Sequence, residues 1–148
     1  MLITALQILV LSAYLLAVYN RYGILQSISH STYKWVGNQR YWFTAMCWGL
    51  GVLNLFQGME GWGVLTTAGL MFAGITVDWM KFARGLHFAG AVLAIFGSFI
   101  GIWVMHGITI PFGIFLIMAF STYHFTRNYV WWIEIQAFAL ILISYALR

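Results

Sequence analysis

Six long apolar runs follow one another along this chain, and a single Asp, Glu, Lys or Arg, Glu134, falls inside any of them. The runs are Leu2 to Tyr19, Tyr41 to Phe56, Trp62 to Val77, Gly85 to Met105, Ile108 to Tyr123 and Tyr129 to Leu147. Each approaches the ~20 residues that an α-helix needs to cross a bilayer. In lipid every backbone N–H and C=O must be satisfied within the protein, and a helix does this inside one segment. The expectation is an all-α integral membrane protein, a compact bundle of about six transmembrane helices, with residues 1–148 as a single domain. The fifth run is short and carries the sole proline, Pro111, near its start, where a missing N–H costs little. Were that run re-entrant, the count would fall to five.

Composition closes off the alternatives. Only 7% of the residues are charged and 63% are hydrophobic, whereas a soluble domain covers its surface with about 25% charged side chains. Lipid is the natural solvent for such an exterior. The net charge of +4 comes from basic residues scattered along the chain rather than gathered in a stripe, so no nucleic-acid partner is expected. Cys47 is the only cysteine and lies in an apolar run, which excludes an intramolecular disulfide and reads as a small buried hydrophobe. The first run lacks a basic leader and a small-x-small cleavage site, and is read as a spanning helix.

Orientation follows from the basic residues. Arg21, Lys34, Arg40, Lys81, Arg84 and Arg127 fall in the first, third and fifth connections, and none falls in the second or fourth. Basic loops face the cytoplasm, so both termini are expected on the non-cytoplasmic side, with Arg148 the one dissenting charge. Trp35, Trp42, Trp62, Trp131 and Trp132 sit near helix ends and fit either interfacial belts or core packing. In the first connection Leu25, Ile28, Thr32, Trp35 and Val36 recur at helical spacing, which predicts a short helix lying at the interface, with a partly ordered loop as the competitor.

The polar residues carry what functional signal there is. On helix four His87, Gly90, Ala94, Gly97 and Gly101 recur every three or four residues and form one stripe. Small residues in lipid mark a face where another helix backbone comes close, and Gly97-x-x-x-Gly101 is the familiar form. His87 then points into the bundle, either as a hydrogen-bonded packing residue or as a functional one. Glu134 lies about two turns into helix six, where an ionisable group is costly unless paired, protonated or hydrated. Arg127, on nearly the same face, is the plain structural partner for it, and Lys81 is the plain partner for Asp78. The topology gathers Ser27, Ser29, His30, Asp78, His87, His124 and Glu134 in the cytoplasmic half, leaving Glu60 and His106 toward the other side.

Several segments together resemble a family of small integral membrane proteins of Bacteroidetes and the phages that infect them. They are Gly23-Ile24-Leu25-Gln26-Ser27-Ile28-Ser29 leading to Tyr33, Ala68-Gly69-Leu70-Met71-Phe72, His87 followed by an aromatic, and Trp131-Trp132-Ile133-Glu134. The resemblance implies the same membrane architecture, a bacterial inner-membrane location, and Ser27, Ser29, Tyr33, His87 and Glu134 as the residues of interest. It implies no particular activity.

The leading functional expectation is binding or transport of an ion, a proton or a small molecule, with His87 and Glu134 as a protonatable pair inside the bundle. A bundle of this size is expected to oligomerise if it is to enclose a full pathway. The alternative is an intramembrane metal-dependent hydrolase, with zinc on His87, His124 and Asp78 and a Ser27 or Ser29 hydroxyl orienting the reacting group. That reading resembles ceramidase-type hydrolases but lacks their His-x-x-x-His pair. A haem between His87 and His124 is a thinner option, and an interaction protein without catalysis, such as a phage-type membrane factor, completes the set. No cofactor is assigned, and the lipid bilayer is the one partner that composition demands.

Overall fold

Backbone polarity has one inexpensive solution in an apolar run, and each of the six runs takes it. The computed structural model describes residues 1–57, 60–75 and 80–147, apart from the side chains at 60 and 80–84. In chain order it holds α1 (Leu2–Tyr22), two short 3-10 turns (Ser29–Tyr33 and Gly37–Tyr41), α2 (Trp42–Leu55), α3 (Glu60–Ala73), α4 (Met80–His106), α5 (Ile110–Phe125) and α6 (Tyr129–Ala146). There is no strand among the described residues. Leu2–Tyr22, Gly85–His106 and Tyr129–Ala146 are long and apolar enough to cross a membrane. The 14-residue helices α2 and α3 reach only ~21 Å at ~1.5 Å per residue, short of a ~30 Å hydrocarbon core.

Helix boundaries differ from expectation at three places, one of them the end of α3, which stops at Ala73, short of the expected Val77, with a turn at Gly74. α1 continues to Tyr22 and stops at Gly23, whose φ of 70° lets its N–H turn back to the Tyr19 carbonyl. α4 begins at Met80, so Lys81 and Arg84 occupy its first turns and are not loop residues. Nothing in Met80-Lys81-Phe82-Ala83-Arg84 opposes a helix, and long basic side chains are tolerated at a helix end because the charged head can reach outward. The fifth run, with Pro111 in its first turn, is a continuous helix packed on α6.

Helix neighbours are held in two different ways. α3 and α4 meet backbone to backbone: a Cβ placed on Gly69 would lie 2.5 Å from the Ala94 nitrogen, and one on Gly90 would lie 2.6 Å from the Ala73 nitrogen. The small-residue stripe of α4 thus faces α3, with Ala94 and Gly101 buried along it and Gly97 against Thr66. α4 and α5 are held apart by rings instead, Phe99 packing on Phe115 at 5.2 Å and Phe96 on Phe112 at 5.9 Å between centroids.

The first connection is folded into the bundle. Leu25, Ile28, Thr32 and Trp35 are all buried, whereas Val36 is 74% exposed. The expected interfacial helix is therefore replaced by a plug of 3-10 turns. Its apolar spacing serves burial against α1, α2 and α6 rather than contact with a lipid surface, and it fills the end of the bundle that the short α2 leaves open. Hydrogen bonds to α1 and α6 fasten it, among them Tyr14 on Ser31, the Tyr22 hydroxyl on the Lys34 carbonyl, the Trp131 N–H on the Gln26 carbonyl, and the Ile28 N–H on Glu134. Trp35 and Trp131 are core residues here, while Trp42 is exposed.

Hydrogen bonds also define two ends. Gln57, just after α2, bonds Thr4 and Gln7 near the start of α1, and Tyr145 near the end of α6 bonds Asn54 near the end of α2. The plug, the start of α6 and the start of α4 lie together at the opposite end. Leu2 and Leu147 therefore share one end, while Arg21, Lys34, Arg40 and Arg127 lie at the other, with Lys81 and Arg84 in the turns of α4 that belong to it.

Candidate functional site: a cavity between four helices and the plug

A cavity of about 70 Å³ lies among α2, α3, α4 and α6, beneath the plug, with Gln7 of α1 at its far end. Its walls repeat one pattern. α4 contributes His87, Ala91, Ala94, Ile95 and Ser98; α6 contributes Glu134, Phe138, Ile141, Leu142 and Tyr145; α2 contributes Phe43, Cys47, Leu50 and Asn54. Offsets of four, seven and eleven residues place each set on a single helical face. The three stripes run from His87 to Ser98, from Glu134 to Tyr145 and from Phe43 to Asn54, their ends eleven positions apart in each case, which is ~16 Å along the helix axis. Apolar residues fill the middle of every stripe.

At the plug end stand Glu134, His87 and Ser29. One carboxylate oxygen of Glu134, Oε2, accepts the N–H of Ile28 at 2.5 Å. His87 Nδ1 meets the Ala73 carbonyl, and because a carbonyl only accepts, Nδ1 carries the proton and a neutral ring presents Nε2 as an acceptor. Ala73 ends α3, so its carbonyl is one of those that a helix terminus leaves unpaired. His87 therefore joins α3 to α4 with one nitrogen, and the residue lines the cavity. The Phe43 ring packs on it at 6.1 Å.

At the far end stand Gln7, Asn54 and Tyr145, only 3%, 2% and 4% exposed. Tyr145 donates to Asn54 Oδ1 at 3.0 Å, Asn54 Nδ2 donates to the Gly63 carbonyl at 3.1 Å, and Gln57 Nε2 donates to Gln7 Oε1 at 2.6 Å. Ser98, which donates to the Ala94 carbonyl, lies 3.4 Å from Thr66 Oγ1 in the same wall.

The residues singled out from the sequence divide accordingly. His87, Glu134 and Ser29 line one cavity; His87 and Glu134 are each bonded to a backbone group and not to one another. Glu134 takes the Ile28 amide as partner, and Arg127 is exposed. Ser27 serves the plug, accepting the His30 N–H and lying 3.0 Å from Ser29 Oγ. Tyr33 is exposed, its ring beside that of His30. His124 is exposed on α5 against Phe120 and Tyr123, away from the cavity wall. Asp78 lies outside the described residues. Among the described residues no three of His, Cys, Asp and Glu are grouped to hold a metal ion, and the placement of His124 lends the zinc and haem readings no support.

Sequence reasoning missed Gln7, Asn54, Thr66, Ser98 and Tyr145, and treated Cys47 only as packing. Neutral polar side chains in an apolar run carry no large desolvation cost to mark them, and the pairings that join different helices here, Tyr145 with Asn54 and Gln57 with Gln7, lie far apart in sequence. No protein-family model, curated protein or solved structure matches this chain.

Proposed function

We propose that this chain is a polytopic membrane protein whose bundle of about six spanning helices binds a proton, or a ligand of only a few heavy atoms, at Glu134 and His87. The plug end, which collects the basic residues, faces the cytoplasm of a bacterial inner membrane, and Leu2 and Leu147 lie on the other side. One observation carries the reading: a carboxylate within an apolar helix lines the same cavity as an imidazole, and each is held in place by a single backbone group. Such an arrangement fixes both side chains while leaving one carboxylate oxygen and one ring nitrogen for a ligand. Size narrows the choice. At ~10–15 Å³ per water, 70 Å³ holds roughly five to seven water molecules, the scale of a proton-carrying water cluster or a ligand of a few heavy atoms.

The reading is tested by infrared difference spectroscopy between acid and alkaline pH on the protein in lipid nanodiscs. A band from a protonated carboxyl is expected that Glu134→Gln removes and His87→Ala displaces. Spectra unchanged by Glu134→Gln would mean that Glu134 exchanges no proton, and the proposed site would lose its central group.

A further inference from the structure

The geometry points to a proton path through the bundle, running from Glu134 and His87 to a second polar site at Gln7, Asn54 and Tyr145 and closed between them by an apolar collar. It rests on Glu134 being the proton-binding group, and it adds the route, the exit and the gate.

Length and volume agree with one kind of occupant. A water file spanning ~16 Å at the ~2.8 Å spacing of O–H···O bonds needs about six molecules. A cavity of about 70 Å³ accommodates about that number at ~10–15 Å³ each. The lining residues are spread along ~16 Å of helix axis, so a single file of water joins the two ends without further volume. Both of its ends offer hydrogen-bonding groups. The Gln7 carbonyl is engaged by Gln57, and its amide nitrogen, on a side chain 3% exposed, has no protein partner among the described residues. That amide is left to bond whatever occupies the cavity. Asn54 and Tyr145, locked to each other and to Gly63, fix the shape of this end.

Between the ends the walls are Leu50, Leu70, Ile95, Phe138, Ile141 and Leu142. A water held in a cavity needs two to four polar partners, and this collar supplies none. Hydrophobic constrictions of this kind close a pore by dewetting. A proton from the plug side binds the Glu134 carboxylate; when the collar wets, Glu134 releases it to the water file, and a proton leaves at Gln7 and Tyr145. One positive charge crosses per event, Glu134 returns to its starting state, and the direction follows the gradient.

The test uses the whole protein in liposomes containing a pH-sensitive dye, with a potassium diffusion potential set by valinomycin. Leu142→Ser, which places a hydroxyl in the collar, should raise proton flux roughly tenfold over wild type, equivalent to ~1.4 kcal/mol off the barrier. Leu70→Thr, on a different helix, should act in the same direction and covers the case in which the first variant fails to fold. Ile117→Ser, at a position 72% exposed on α5, should change nothing. Adding Glu134→Gln to either collar variant should return the flux to the wild-type value. If folded collar variants leave flux unchanged, or raise it regardless of Glu134, the path is wrong. The infrared band of Glu134 reports separately, so its persistence without flux would overturn the path and leave the proton site standing.

Discussion

At the scale of single residues, the contact between α3 and α4 ranks glycines that look equivalent along the stripe. A methyl group on Gly90 would meet backbone, 2.6 Å from the Ala73 nitrogen and 2.7 Å from the Gly69 carbonyl oxygen. On Gly97 the nearest atom is the Thr66 hydroxyl at 3.3 Å, a side-chain atom that can turn away. Overpacking against backbone costs ~1–3 kcal/mol, while replacing a helical glycine by alanine gains up to ~1 kcal/mol in propensity. Gly90→Ala should therefore lower stability by up to ~2 kcal/mol, and Gly97→Ala should be neutral or mildly stabilising. Unfolding in mixed micelles separates the two, and equal effects would show that α3 and α4 do not approach as closely as described. The same contact fixes His87, because the Ala73 carbonyl that it bonds belongs to the segment of α3 lying over Gly90.

At the scale of elements, the plug links the site to the fold. The Ser31 hydroxyl spends its one hydrogen on the Ile28 carbonyl, so the Tyr14 hydroxyl must be the donor in the bond between Tyr14 and Ser31. Ser31→Ala would leave Tyr14 without that acceptor in a fully buried place, at a cost of ~1–3 kcal/mol. The loss should appear locally, as faster hydrogen exchange of the amides in 28–35 with the amides of α4 unchanged, and uniform exchange across both would mean that the plug is not a separate element. Much of this arrangement was legible in the residues. Glu134 and His87 stood out because an ionisable group in an apolar run is expensive and so marks itself, and both line the cavity. The plug showed its buried positions, Leu25, Ile28, Thr32 and Trp35, through their spacing. Spacing cannot tell a lipid interface from the end of a bundle, so the burial was assigned to the wrong partner. The far site was not legible at all, since Tyr145 and Asn54 are 91 residues apart and nothing local in either neighbourhood signals the other.

At the scale of the whole molecule, the polarity of the path depends on which end faces the cytoplasm. The structure places Leu2 and Leu147, both exposed, at one end, and Asn38, exposed in the plug segment, at the other. The lone cysteine makes this testable with little disturbance, because Cys47 is buried in the cavity wall and Cys47→Ala changes only the interior. On that background Leu2→Cys and Leu147→Cys should react with a membrane-impermeant maleimide in intact cells, and Asn38→Cys should react only after permeabilisation. Labelling of all three only after permeabilisation, or opposite behaviour of Leu2→Cys and Leu147→Cys, would end the six-span reading. A full reversal, with Asn38→Cys labelled from outside, would keep the bundle but overturn the orientation drawn from the basic residues. The path would then open to the outer face at Glu134 and to the inner face at Gln7, while an inside-negative potential would still drive dye acidification, because the direction of flux follows the gradient and not the orientation.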